Sequence, residues 1–259
     1  DSFGKKSVYS TWSINNFFVD AAGQEKIVLK NYWYDNGGLP TILLKYMQSH
    51  LIDFSAFYDK EISLDPDTFK NPTSLQTMDP NILMAQTGYL SLKKGYELEE
   101  MAVLTIPNLE LRRALSRLTL HRVFNDFYLA QKRTLKKYIQ SASAQYLFDK
   151  FNEILARVPR ENGKYNFENE HQVKTVIQMF VLGADMNCYR EVYESKGHPD
   201  LVIELDDRII VIEFKYVTNS KEVDDKLTEA ITQIKDRDYG QSFDCNKTRL
   251  KMAVVYDAN

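Results

Sequence analysis

Two carboxylates and a lysine are spaced so that they can meet at one end of a β-hairpin. Asp200 ends the segment Gly197-His198-Pro199-Asp200, and Glu213-Phe214-Lys215 follows it after an apolar stretch. If residues 201–205 and 208–216 pair antiparallel across a two-residue turn, Asp200 faces Glu213. Opposed strand residues have Cβ atoms roughly 4.5–5.5 Å apart, where like charges destabilise a sheet. A divalent cation held between the two carboxylates would offset this repulsion.

Two further side chains are candidates for the same site. Lys215 is two positions beyond Glu213, so both side chains leave the same face of the strand. Glu170 precedes Val173 and Ile177 by three and seven residues and therefore shares the apolar stripe of a predicted helix. An acid on a core-facing stripe needs a partner, which makes Glu170 a possible third acid of the site.

This group of residues suits metal-assisted hydrolysis of a phosphodiester. Mg²⁺, or Mn²⁺ in its place, binds carboxylate oxygens, polarises a phosphoryl oxygen and lowers the pKa of a bound water. Lys215 could orient or deprotonate the attacking water, or neutralise charge in the transition state. The spacing alone leaves a second interpretation open, in which a surface hairpin carries a chance acid pair and a lysine that only forms a salt bridge.

The composition is that of an ordinary globular protein. The chain has 259 residues, of which 44% are hydrophobic and 27% are charged, and this excludes disordered and low-complexity classes. No apolar run approaches the roughly 20 residues that cross a bilayer, and the first residues open no secretory signal. Two cysteines are too few for a disulfide framework. We therefore expect a cytoplasmic protein with no membrane partner.

The chain is predicted to have two parts, a mainly helical region over residues 1–158 and an α/β region over 159–259. Apolar periodicity and capping residues in the first part predict helices over 13–18, 109–139 and 142–157, a helix that follows Pro40 and ends near residue 50, and a hairpin of 87–92 with 99–106. The second part reads helix, three strands, helix, strand. Its predicted elements cover 170–184, 188–194, 201–205, 208–216, 221–237 and 249–256.

The charge is distributed unevenly along the chain. The net charge is −3, and residues 159–259 hold 14 Lys and Arg against 19 Asp and Glu. The segment 112–137 instead holds eight Lys and Arg and a single acid, Asp126. This basic segment could follow a line of phosphates, or it could be an ordinary solvated helix face.

Pro199-Asp200, a hydrophobic strand and Glu213-Phe214-Lys215 together resemble the signature of the PD-(D/E)XK nucleases. The order helix, three strands, helix, strand resembles their restriction-endonuclease-like αβββαβ core. Gln233-Ile234-Lys235 with Tyr239 is similar to a glutamine–tyrosine motif in one branch of the superfamily, although six residues separate Gln233 from Tyr239. The resemblance implies an α+β or α/β fold and a metal-dependent nuclease that cleaves DNA, with RNA as an alternative substrate.

The same resemblance implies a role for each candidate residue. Asp200 and Glu213 would bind the metal together with the carbonyl of Phe214. Lys215 would be the catalytic lysine and Glu170 the helix acid. Gln233 and Tyr239 would position the substrate. The expected cofactor is Mg²⁺ or Mn²⁺.

The first part of the chain resembles the last part of an AAA-ATPase-like module that often precedes such a nuclease domain in bacterial proteins. The matching segments are Val8 to Ile14, Tyr32-Trp33, Thr87 to Leu90 and Ile106 to Asn108. The phosphate-binding pattern G-x-x-x-x-G-K-[ST] is absent from the sequence. By this resemblance the chain is a C-terminal fragment, its partner is the upstream ATPase region of the same polypeptide, and it should not bind ATP alone.

Two rival functions stay open from the sequence. In one, the nuclease fold binds nucleic acid or a protein without cutting. In the other, the chain is an interaction protein that regulates the upstream ATPase, and the basic segment 112–137 is its docking face. A complete Asp-Glu-Lys set argues against the first rival, because a pure binder does not need opposed carboxylates.

Overall fold

The computed structural model describes residues 2–3, 6–7, 9–25, 32, 41–49, 61–65, 74, 77–93, 102–140, 143–158, 167–190 and 192–259. The chain forms two compact units, Asp1–Leu118 and Thr119–Asn259. The boundary between the units lies within the long helix Leu109–Gln140. The domain division expected from the sequence, at residues 158 and 159, stays a prediction.

The first unit combines helices with two small antiparallel sheets. Its described helices are α1 (Thr11–Ala21), α2 (Thr41–Ser49) and α3 (Pro80–Gln86). Its strands are β1 (Ser2–Phe3), β2 (Lys6–Ser7), β3 (Ile62–Leu64), β4 (Ser91–Leu92) and β5 (Ala102–Thr105). β1 pairs with β2, and β5 lies between β3 and β4.

The predicted hairpin of the first unit is confirmed only at its core. β4 and β5 pair antiparallel, with Ser91 opposite Thr105. The prediction of a strand from residue 87 is wrong, because Thr87 caps the end of α3 and Gly88 has a φ of 82° that turns the chain. β3 was also missed, since a three-residue strand leaves too little alternation to detect.

Two helices with side-chain caps follow. α4 (Leu109–Gln140) begins after Asn108, whose Oδ1 accepts a hydrogen bond from the backbone N–H of Leu111 at 2.9 Å. This confirms the predicted cap. α5 (Ala144–Ala156) is capped in the same way by Ser143. Arg117, in the basic segment 112–137, is buried, so that residue does not belong to a solvated face. The side chains of 122–134 lie outside the described residues.

The remaining elements form the predicted αβββαβ core. They are α6 (Glu170–Gly183), β6 (Asn187–Arg190), β7 (Leu201–Glu204), β8 (Arg208–Val217), α7 (Val223–Arg237), which follows a 3-10 turn at Ser220–Glu222, and β9 (Thr248–Asp257). The sheet order is β6-β7-β8-β9, and β9 runs parallel to β8 while the other pairs are antiparallel. The predicted α+β fold class is confirmed.

β8 is buried on both faces of this sheet, which explains its nearly continuous apolar sequence. α6 packs on β6, β7 and β8, and α7 packs on β8 and β9. On the α7 side, Ile209 and Val211 form a core cluster with Val202, Ile234 and Tyr239. α7 therefore covers Ile209 and Val211 on this face of β8.

The register of β7 on β8 positions the candidate acids. Leu201 pairs with Ile212 and Glu204 with Ile209, as the sequence predicted. The hairpin closes with a hydrogen bond from the Leu205 N–H to the Arg208 carbonyl at 2.9 Å. One step beyond Leu201, the same register brings Asp200 to the position across from Glu213.

None of the helices in the described part of the chain combines the length and the apolar character that crossing a membrane would require.

Candidate active site

Asp200 lies at the edge of the sheet where β7 begins, and both of its carboxylate oxygens have partners. Oδ2 accepts a hydrogen bond from the backbone N–H of Phe214 at 2.7 Å. Oδ1 accepts one from the Lys174 ammonium at 2.8 Å. The first bond ties the acid to the neighbouring strand β8, so its position depends on the sheet and not on a loop.

Glu213 is the most unusual group of the site. Its side chain is only 2% exposed, and its Oε1 accepts a hydrogen bond from Lys215 at 3.1 Å. The other oxygen, Oε2, is buried and has no hydrogen-bond partner. Burial, with Asp200 nearby, raises the pKa of Glu213 to about 7. A buried polar atom without a partner costs stability, which indicates that something other than folding requires it.

Lys215 is held between an acid and an amide. Its ammonium donates to Glu213 at 3.1 Å and to the side-chain oxygen of Gln233, on α7, at 3.0 Å. The Glu229 carboxylate, also on α7, is 3.8 Å away. Two elements thus fix the direction of Lys215, as expected for a group that must meet a substrate in one orientation.

Gln233 and Tyr239 lie together despite their wide spacing in the sequence. The Gln233 Nε2 donates to the Tyr239 hydroxyl at 3.3 Å, and Arg237 donates to the same hydroxyl at 2.9 Å. Tyr239 is fully buried, in the core cluster beneath β8. In this structure Tyr239 therefore contacts Gln233, whose amide oxygen holds Lys215.

Lys174 is a site residue that the sequence reasoning missed. It lies on α6, is 8% exposed, and bridges Glu170 at 2.9 Å and Asp200 at 2.8 Å. Burial alone would lower its pKa, but the carboxylates of Asp200 and Glu170 raise it above the usual value. The one available signal was the four-residue spacing from Glu170, which puts the two side chains on one helix face. Glu170 thus joins the site through Lys174.

One of the comparisons with known proteins gives a match, and it lies in the last part of the chain. Residues 168–258 match the family model described as the PD-(D/E)XK nuclease superfamily. This segment belongs to that superfamily. Every residue of the candidate site, from Glu170 to Tyr239, falls within the matched range. The search of curated proteins and the search of solved structures gave no match.

Membership in the PD-(D/E)XK superfamily supports a nuclease, a hydrolase of phosphodiester bonds with a nucleic-acid substrate. Among the described residues, no group of three or more His, Cys, Asp or Glu side chains is arranged to hold a metal ion. In this structure the acids contact lysines instead, because Lys174 lies between Glu170 and Asp200 and Lys215 donates to one oxygen of Glu213.

The chemistry of the candidate site nevertheless fits a divalent cation. Asp200 and Glu213 supply hard carboxylate oxygens, which Mg²⁺ and Mn²⁺ prefer. The buried Oε2 of Glu213 is an acceptor without a donor, and the effect of Asp200 on the pKa of Glu213 indicates mutual repulsion. A cation bound here would give the Oε2 of Glu213 a partner and would reduce the repulsion between Asp200 and Glu213.

Proposed function

We propose that the chain is a metal-dependent nuclease that hydrolyses phosphodiester bonds of DNA, with Asp200, Glu213 and Lys215 carrying the reaction. The observation that supports this most strongly is Glu213. A buried carboxylate with one oxygen unpartnered, across the hairpin from Asp200 and 3.1 Å from a lysine, is costly for folding and useful for phosphoryl chemistry.

Asp200 and Glu213, with the Phe214 carbonyl, would hold Mg²⁺ or Mn²⁺. When bound, the ion supplies Lewis-acid polarisation of a phosphoryl oxygen and lowers the pKa of water. The protein keeps its two acids in place through the β7–β8 register and the bond from the Phe214 N–H to Asp200. The acids are therefore preorganised by backbone structure.

Lys215 is the residue proposed to face the reacting phosphate. Its ammonium can orient the attacking water by hydrogen bonding, or donate to the non-bridging oxygens as their charge grows. Gln233 accepts one of its three protons at 3.0 Å, which restricts the directions of the others. Tyr239 and Arg237 in turn fix the Gln233 amide, so these residues position the lysine.

Lys174 and Glu170 are proposed to position Asp200. Lys174 is too deeply buried to reach a substrate freely, and both of its carboxylate contacts are shorter than 3 Å. It neutralises one oxygen of Asp200 and leaves the acid's orientation fixed. Glu170 acts through Lys174 and is the more exposed of the two acids that Lys174 binds.

The experiment that tests this function uses the full chain and two forms of DNA. Supercoiled plasmid and single-stranded DNA are incubated with Mg²⁺ or Mn²⁺, with and without chelator, for the wild type, Asp200→Asn and the control Asp207→Asn. Asp207 is exposed at the hairpin turn, with Arg208 as its ion-pair partner.

We expect metal-dependent cleavage by the wild type and Asp207→Asn and none by Asp200→Asn. Cleavage that persists in Asp200→Asn, or that survives the chelator, would contradict the proposal. A parallel assay on RNA of the same sequence identifies the preferred nucleic acid. Failure of all three proteins to cut either nucleic acid would favour the non-cleaving binding module.

We also propose that residues 1–158 form part of an AAA-ATPase-like module, that the chain acts in the cytoplasm with the ATPase region of its polypeptide, and that this chain does not bind ATP. The basis is the sequence resemblance and the missing phosphate-binding loop. A thermal-shift titration with Mg-ATP tests the last point. Saturable stabilisation by Mg-ATP would overturn it.

A further inference from the structure

A tight hairpin leads the chain into Asp200. The backbone N–H of Glu194 donates to the Gly197 carbonyl at 2.9 Å, and the Gly197 N–H donates back at 3.2 Å. Only Ser195 and Lys196 form the turn. The next pair outward, Tyr193 and His198, is brought together, with ring centroids 4.9 Å apart and an interplanar angle of 70°.

The aromatic pair of this hairpin faces solvent. Tyr193 is 85% exposed, and His198 and Lys196 are exposed as well. Two rings in edge-to-face contact on the surface stabilise each other, but they bury little of their area against the core. The pair therefore offers an uncovered ring face that the fold does not use.

The hairpin is fastened to the domain at both of its strands. The Glu194 carboxylate accepts hydrogen bonds from the Gly240 N–H at 2.9 Å and from the Ser242 hydroxyl at 2.8 Å. Gly197 has a φ of 131°, and a Cβ there would lie 3.0 Å from Arg237 Nη1. A side chain at this position would be strained, so the close contact requires glycine. The rings are thus carried by an anchored element.

The charge of the hairpin differs from that of the groove along α7. A groove of about 500 Å³ along α7 is lined by Gln233 and Arg237 but also by Asp225, Glu229 and Asp236. Three carboxylates there oppose a polyanion. The hairpin instead presents Lys196 at its tip and His198 two residues before Asp200. The one acid within 193–198, Glu194, accepts hydrogen bonds from the Gly240 N–H and the Ser242 hydroxyl, so a nucleic acid meets less repulsion over the hairpin than along the groove.

We propose that the hairpin 193–198 binds an unpaired nucleotide next to the scissile phosphate, with the base stacked on Tyr193 and a phosphate near Lys196. This deepens the proposed nuclease function and rests on it, because it identifies the substrate as nucleic acid with a single-stranded segment at the cleavage site. A base in a duplex has its faces covered by its neighbours, whereas an unpaired base can use an exposed ring.

The proposal is tested by binding before any cleavage. Fluorescence anisotropy of labelled single-stranded and duplex oligonucleotides is measured in chelator, with the full chain as wild type, Tyr193→Leu and Tyr193→Phe. Tyr9→Leu is the matched control, because Tyr9 is also 85% exposed but lies in the first unit.

We expect Tyr193→Leu to weaken single-strand binding about tenfold, as loss of one stacked base does, and duplex binding much less. Tyr193→Phe keeps the ring and should bind like the wild type, as should Tyr9→Leu. Equal single-strand affinity in Tyr193→Leu and the wild type would overturn the proposal. An equal loss for duplex and single strand would overturn it too, since the ring would then not read unpaired bases.

A cleavage assay with Mn²⁺ distinguishes failure of the stacking site from failure of the proposed nuclease function. If the wild type cuts, and Tyr193→Leu binds and cuts single strands as well as the wild type does, the nuclease function is supported and the stacking site is disproved. If the wild type does not cut but its single-strand binding depends on Tyr193, the stacking site is supported and the nuclease function is not, and the chain is a non-cleaving binding module.

Discussion

A glutamate of the β7–β8 hairpin pairs with a lysine near each end of the hairpin, Glu204 with Lys247 from the loop before β9 and Glu213 with Lys215 of β8, and the two pairs are built differently. Near the turn, Glu204 accepts a hydrogen bond from Lys247 on one oxygen at 2.7 Å and from the Tyr189 hydroxyl on the other at 3.0 Å. At the far end, Glu213 accepts one from Lys215, and its second oxygen is buried without a partner.

This difference separates a structural ion pair from a candidate active site. The Glu204 end is complete as it stands, since both carboxylate oxygens have donors and the pair is partly exposed to water. At the other end the Glu213 side chain is nearly closed to solvent, and its second oxygen lacks a donor. A buried carboxylate oxygen without a donor lowers stability. The protein has one at the place where Asp200, Lys174 and Gln233 also lie, which is where the proposed chemistry needs charge.

The largest expected effect is on DNA cleavage, when the lysine at each end is replaced in turn by methionine. Lys215→Met should lower DNA cleavage by at least about 100-fold, because it removes a charge aimed at the reacting phosphate. Lys247→Met should cleave like the wild type. Initial rates of cleavage of one plasmid substrate measure both variants. Equal losses of rate in the two variants would contradict the distinction between the Glu213 end and the Glu204 end.

The pH dependence of stability should differ between the two glutamates. Because the folded state raises the pKa of Glu213 to about 7 from 4.5, it binds the proton more tightly than the unfolded state does. The resulting stabilisation is complete below the unfolded-state pKa and is lost as the pH rises through about 7. Its size is roughly 3 kcal/mol at most.

Glu213→Gln should therefore remove most of a decline in unfolding free energy between pH 5 and 8, and Glu204→Gln should leave that decline in place. Denaturant unfolding of metal-free protein at several pH values measures both variants. A Glu213→Gln profile parallel to that of the wild type would disprove the raised pKa.

A smaller loss of stability is expected at Lys174. Lys174→Met leaves both Glu170 and Asp200 without their shared cation, and should lower the unfolding free energy by about 2 kcal/mol, less than for a fully buried pair. Lys247→Met should lower it by only about 1 kcal/mol, because Glu204 keeps the Tyr189 hydroxyl. Urea unfolding at neutral pH gives both values, and a larger loss in Lys247→Met would reverse the comparison.

The smallest effect is expected at Gln233. Gln233→Ala removes the amide oxygen that orients Lys215 and should slow cleavage about fivefold, the value of one hydrogen bond. Gln241→Ala is the control, since Gln241 is exposed and bonds only to Asp238 in the contacts described. A fall in thermal stability that matches the fall in rate would mean that Gln233 acts through folding alone.

The sequence predicted the parts of the molecule that depend on backbone periodicity. Alternation and the two-residue turn set the β7–β8 register, and that register is confirmed by Leu201 opposite Ile212. Lys174 could not be found in this way, because its role depends on a helix packing beside a strand end.

The first unit was predicted less well for a related reason. Its strands have two to four residues, so alternation is too short to separate a strand from a turn. Where a cap residue was available, as at Asn108 before α4, the start of the helix was predicted correctly. The capping residue thus predicted where this helix begins, whereas the bounds of α1, predicted over 13–18 and observed at Thr11–Ala21, and the pairing of the short strands did not follow from the pattern.

The measurement that tests the central claim most directly is Mn²⁺ binding by the metal-free full chain, followed by electron paramagnetic resonance. The wild type, Glu213→Gln and Glu204→Gln are titrated side by side at one pH above 7. We predict that the wild type and Glu204→Gln bind Mn²⁺ with equal affinity and that Glu213→Gln loses this binding. Equal binding by all three proteins, or no binding by the wild type, would contradict the assignment of the Asp200–Glu213 end as the active site.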